Sequence, residues 1–175
     1  SSALYMIVAR RKNTAVDSHF RFRDSSRSVH ESCGRVRLQR HPRQRRLRHR
    51  LLDLRRKLLA LHLALIAAEQ QTYEHIHGHI GSTELLLQLM LKDPWFTWLH
   101  PLSDILIGID HLLSDEAFDT TEENVDLLFY QARLLLHPSV DGDGFERAYY
   151  EVLQRAPDVV LAHFQVKRVL LAEAA

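Results

Sequence analysis

Cysteine is nearly absent from this chain: Cys33 is its only one. A lone thiol excludes an intramolecular disulfide and every zinc site built from several cysteines. Long apolar runs are also missing. The longest charge-free stretch of the leucine-rich middle, Leu58 to Ala68, is 11 residues and contains His62, well short of the ~20 that a bilayer requires. The apolar stretch Ser2 to Ala9 is followed by Arg10, Arg11 and Lys12, the reverse of a secretory signal, whose positive charges come first. No export signal is read, and a cytoplasmic location is expected. No run alternates apolar and β-branched residues between turns, and no fixed-period repeat is visible. A Gly-x-Ser-x-Gly elbow and a phosphate-cradling glycine loop are both lacking, so the reading leans away from an enzyme.

What the chain does have is a reversal of charge near residue 50. Residues 1–50 hold 14 Lys+Arg against three acids, Asp17, Asp24 and Glu31, hence +11; the other 9 basic and 19 acidic residues give 51–175 a charge of −10. The first segment has no sustained periodicity and uses arginine 13 times for one lysine. Two accounts compete for it. One is a disordered basic arm that neutralises phosphate on nucleic acid or an anionic surface. The other is an extension that is not natural protein, since GC-rich DNA read upstream of a true start, or out of frame, gives arginine-dense, lysine-poor text. The chain opens without an initiator Met, which fits the second account.

From Leu51 onward the text is that of a folded helical domain, read as 51–175. Leu51, Leu54, Leu58, Leu61, Leu65, Tyr73 and Ile76 recur at helical spacing, and Gly78 with Gly81 ends that helix. Ser82 is a good cap for a second segment, Glu84 to Leu91, apolar on nearly every side. Asp93-Pro94 starts a third, with Trp95, Trp98, Leu99, Leu102, Ile105, Leu106 and Ile109 on one stripe and a kink expected at Pro101. Ser114 to Thr121 reads as an acidic loop, and Thr120 with Glu123 as a capping box for a helix that His137-Pro138 stops. Asp143 is the expected cap of the next helix, interrupted at Ala156-Pro157. The expected fold is all-α: four long helical stretches, two of them broken by proline, in an up-down bundle.

Three constellations invite a functional reading. Glu74 and His77 form a Glu-x-x-His pair, the spacing used by carboxylate-bridged di-metal bundles, so iron, zinc or manganese is the alternative cofactor. The second such pair is absent, and the plainer reading is histidines at a helix C-terminus, favoured by the dipole. Asp141 to Glu146 fails the positions an EF-hand needs, and no complete hemerythrin-type ligand set can be assembled. Trp95, Phe96, Trp98 and His100 cluster at a helix start. They read as core plugs or, through Trp95, Trp98 and His100, as a partner anchor. The apolar surplus in Leu85 to Leu91 adds the expectation of a homodimer.

The stretch LeuLysAspProTrpPheThrTrpLeuHisProLeuSerAspIleLeuIleGlyIleAsp (91 to 110) resembles an uncharacterised family of small bacterial all-helical proteins. The resemblance runs from about Leu51 to Leu171 and is sharpest at Asp93-Pro94-Trp95 and His100-Pro101-Leu102. It implies a helical fold and brings no activity, cofactor or catalytic residue with it. The expected function is therefore a non-enzymatic interaction or regulatory module. A metal-binding bundle and nucleic-acid binding through the basic arm are the alternatives.

Overall fold

The computed structural model of the protein describes residues 42–114 and 121–172. Within them lie six α-helices, one 3-10 segment and no strand: α1 Pro42–His77, α2 Thr83–Lys92, the 3-10 segment Pro94–Leu99, α3 His100–Ser114, α4 Glu122–Leu135, α5 Gly144–Arg155 and α6 Pro157–Ala172. Among the described residues no helix is long and apolar enough to cross a membrane. Cys33, Thr120 and the basic arm up to residue 41 lie outside the described residues.

The first helix is the axis of the domain. Its 36 residues span about 54 Å at 1.5 Å per residue. Leu47, Leu51, Leu54, Leu58, Leu61 and Leu65 are all buried along it, and it packs chiefly on α6 and α3. It starts at Pro42, inside the arginine tract, rather than at the Leu51 boundary read from the sequence. Pro42 suits a first turn because the amide it lacks has no helical partner there. The arginines that follow tie α1 across to its neighbours. Arg43 pairs with Glu122 and Arg55 with Asp110. Arg48 donates to the Leu113 carbonyl at 2.8 Å, and Arg50 reaches Asp126 at 2.9 Å while lying over the Phe129 ring.

Local signals set the breaks. Gly78 takes φ +93° as the left-handed cap of α1, and its N–H reaches the Glu74 carbonyl at 3.0 Å. Ser82 Oγ accepts the Leu85 N–H at 3.1 Å at the start of α2. Replacing Ser82 by alanine is expected to cost about 1 kcal/mol, read from urea unfolding. Asp93 closes α2 through its own N–H to the Leu89 carbonyl, and its carboxylate accepts the Trp95 N–H at 2.9 Å.

The third stretch is not one kinked α-helix. Pro101 has no N–H for the Thr97 carbonyl, and that carbonyl is taken instead by the His100 N–H one residue earlier. The tighter bond makes 94–99 a 3-10 turn, with α3 beginning at His100. Thr121 caps α4: its hydroxyl accepts the Asn124 N–H at 3.2 Å. Asp143 occupies the cap position of α5 but makes no side-chain capping bond. In α3, Gly108 lets Leu128 of α4 approach to where a Cβ would lie 3.2 Å from its methyl. The core closes with Phe96, Leu99, Leu102, Leu106, Ile109, Phe129, Tyr149, Val159 and Val166 against the α1 leucines.

Candidate functional site

Three elements meet around a 430 Å³ open pocket: α1 gives Glu69 and Thr72, the 3-10 segment gives Trp95 and Trp98, and α5 gives Ala148, Glu151 and Arg155. Each contribution follows from helix period. Residues 69 and 72 lie three apart on one α-helical face, as do 148, 151 and 155 at three and seven. In a 3-10 turn, positions three apart eclipse each other, so Trp95 and Trp98 rise from the same side. Both are half-buried, while Phe96 between them is buried in the core.

The polar floor is built on Glu69, a carboxylate only 4% exposed. Its Oε2 accepts the Trp95 indole N–H at 2.7 Å. Its Oε1 accepts from Arg155, whose second amino group donates to the Thr72 hydroxyl. The Thr72 hydroxyl in turn donates to the Ala68 carbonyl at 3.0 Å. Both Glu69 oxygens thus have a donor and the guanidinium balances the charge, which is the condition for burying it without a large penalty.

Around this floor the rings form two runs. Trp95 meets Tyr73 and His77 edge-on, each at 5.9 Å between centroids, and Tyr73 lies 4.4 Å from His77. Trp98 leans on Phe145 at 5.4 Å, Phe145 on Tyr149 at 5.3 Å, and the Tyr149 hydroxyl sits 2.6 Å from His163 Nδ1. Burial raises the Tyr149 phenol above its ordinary range and lowers the His163 imidazole, with Lys167 adding to the latter.

The sequence candidates divide accordingly. Trp95 and Trp98 come together at the pocket. His100 does not join them: its Nε2 lies 2.9 Å from the Met90 carbonyl, at the end of α2. Glu74 and His77 are engaged separately. The Glu74 carboxylate accepts from Gln70 at 3.0 Å and from the Ile80 N–H at 3.1 Å, with His79 at 3.3 Å. Those bonds, the Gln70 one first, hold its carboxyl below the usual range. His77 faces Tyr73 and Trp95. Among the described residues no three His, Cys, Asp or Glu side chains gather as a metal site. His62, buried in the core, faces Ser103 Oγ at 3.2 Å. Thr72 and Arg155 were not singled out from the sequence; Arg155 lies 83 and 86 positions from its partners, beyond any local pattern.

No protein-family model, curated protein or solved structure matches this chain.

Proposed function

We propose that this chain is a non-enzymatic interaction module that takes an apolar or aromatic side chain of a protein partner into the Trp95–Trp98 pocket. Its helices we read as an up-down bundle around α1. The observation that carries the reading is the closed polar floor. Glu69, the one buried carboxylate of the pocket, has both oxygens occupied, one by an indole N–H and one by a guanidinium. A carboxylate so engaged is neutralised by the guanidinium and fixed in place as the floor of the pocket. What faces an incoming group is the indole surface of Trp95 and Trp98, rimmed by Glu151 and Arg155. Half-buried tryptophan with a polar rim is the composition of interaction hot spots, because a rigid ring gives large contact at small entropic cost.

The two tryptophans are the only ones in the chain, so all indole emission reports on this pocket. Short peptides with a central Leu or Phe are expected to change that emission saturably. The Trp98→Ala protein, with its helical circular dichroism intact, is expected to lose about 30-fold in affinity, as for a 2 kcal/mol anchor. A panel that leaves emission unchanged, or a Trp98→Ala protein that binds like the parent, would contradict the reading.

A further inference from the structure

A second groove, 340 Å³ in volume, opens between α1 and α6 and shares no lining residue with the Trp95–Trp98 pocket. Helix period builds it. Asp53, Arg56 and Lys57 line it from α1, and Gln165, Arg168 and Ala172 from α6, each set at three- and four-residue spacing. Lys57 and Gln165 are half-buried, while Arg56 and Arg168 stand exposed at the mouth.

The charge of this groove is not balanced within it. Elsewhere on α1 the arginines meet acids of other helices: Arg43 faces Glu122, Arg50 faces Asp126 and Arg55 faces Asp110. Here α6 offers a cation and a carboxamide instead. Asp53 is held by Arg56 at 2.6 Å, and Lys57 Nζ donates to Gln165 Oε1 at 3.1 Å. Among the described residues neither Lys57 nor Arg168 has a carboxylate partner. Arg56, Lys57 and Arg168 against Asp53 leave a net +2, in a segment 51–175 whose total is −10. Like charges brought together from two helices repel, and an anion between them relieves the repulsion.

The donors suit one. Arg168 presents a guanidinium fork, Lys57 an ammonium, and Gln165, its Oε1 already facing Lys57, a free NH₂. The carbonyl end of α6 at Ala172 disfavours an anion at that edge, which puts the seat at Lys57, Gln165 and Arg168. We propose that this groove binds a dianionic phosphoryl group, free or as a small phosphomonoester, on those three side chains with Arg56 at the rim. A phosphoryl group carries about −1.5 to −2 near neutral pH and three acceptor oxygens, matching both the charge and the donors. The volume lies in the range of small-molecule sites, which leaves room for the body of an ester. No residue of the groove takes part in the function proposed above, so the two stand or fall separately.

Calorimetry and ¹⁵N NMR of the full chain at constant ionic strength test it, with inorganic phosphate and glycerol 3-phosphate as probes. Inorganic phosphate is expected to bind saturably with a Kd of about 1 mM. It is also expected to shift the Gln165 carboxamide signal, which locates it in the groove and not on the arginine tract of residues 1–41. Arg168→Gln is expected to weaken binding about 10-fold, the loss of one charge-assisted hydrogen bond. Gln165→Glu, which gives Lys57 and Arg168 a carboxylate of their own, is expected to remove saturable binding below about 20 mM. Arg45→Gln deletes a cation eleven residues before Arg56, about 16 Å along α1 and beyond the screening length at physiological salt. It is expected to change affinity by less than about twofold. Circular dichroism checks that each variant is folded. Tighter binding of glycerol 3-phosphate than of phosphate assigns the seat to an ester, and the reverse assigns it to the free ion. No saturable heat up to about 20 mM, a stationary Gln165 signal, binding unchanged in Gln165→Glu, or an Arg45→Gln loss equal to that of Arg168→Gln would overturn the proposal.

Discussion

Replacing Arg155 by leucine is expected to destabilise the domain by about 3 kcal/mol, the lower end of what breaking a buried pair costs. The Glu69 carboxylate is almost completely enclosed, while the Arg155 side chain is 39% exposed at the pocket edge. Removing the guanidinium leaves an enclosed charge with the Trp95 indole N–H as its remaining partner. It must then draw in water, which is costly. The open pocket eases entry of water, which is why the lower end applies. Arg155→Lys is expected to fall between, because an ammonium cannot bridge Glu69 and Thr72 as a planar fork does. Glu69→Leu combined with Arg155→Leu is expected to be more stable than Arg155→Leu alone, since no unpaired charge remains. Urea unfolding curves measure all three. An Arg155→Leu protein within 0.5 kcal/mol of the parent, as an ordinary surface site would be, contradicts this account of the pocket floor.

Acid is expected to weaken the domain through His62. Burial is the main reason its pKa is pushed down from 6.5 to about 4, and the nearby positive charge of His100 adds to the effect. In the unfolded chain the imidazole takes its proton near pH 6.5, and in the folded chain only near pH 4. Between those values the unfolded state binds more protons, so stability falls as pH drops. The contribution is complete above pH 6.5 and is lost progressively down to about 4. At 1.36 kcal/mol per pH unit the full loss is about 3 kcal/mol. His62→Gln is expected to flatten the stability–pH slope in that window by close to one proton. Some slope remains, because burial lowers the pKa of His163 in the same direction. Urea midpoints taken at intervals from pH 7 to pH 4.5 read the difference directly; parallel slopes for the two proteins would mean that His62 already takes its proton in the fold.

Much of the fold is legible locally, because several breaks among the described residues have short-range causes. Gly78, Ser82, Asp93-Pro94, His137-Pro138 and Ala156-Pro157 all stand at observed boundaries. Pro101 was legible as a disturbance but not in kind: bonding Thr97 from His100 turned an expected kink into a 3-10 segment. That change matters for the site, since it is what aligns Trp95 with Trp98. The start of α1 was hidden by composition. Leu47 continues the series of Leu51 and Leu54 at helical spacing, yet the arginines around it read as an arm. Their acceptors, Glu122, the Leu113 carbonyl and Asp126, lie 79, 65 and 76 positions away. The pocket was half legible for the same reason. Its tryptophans are neighbours in the chain, but Arg155 comes from the other side of the sequence. Leu85 to Leu91, where the apolar surplus was expected, is largely accommodated by packing, with Leu86 and Met90 buried. Leu85 in that segment stays exposed, as do Leu127, Tyr130 and Leu134 on α4 and Leu161, Phe164 and Leu171 on α6.

Fluorine resonances of 5-fluorotryptophan protein test the binding reading most directly. Two tryptophans give two signals, assigned by Trp95→Phe and Trp98→Phe. The account predicts that a bound peptide shifts both signals together. A peptide that binds by calorimetry while both signals stay in place would contradict it.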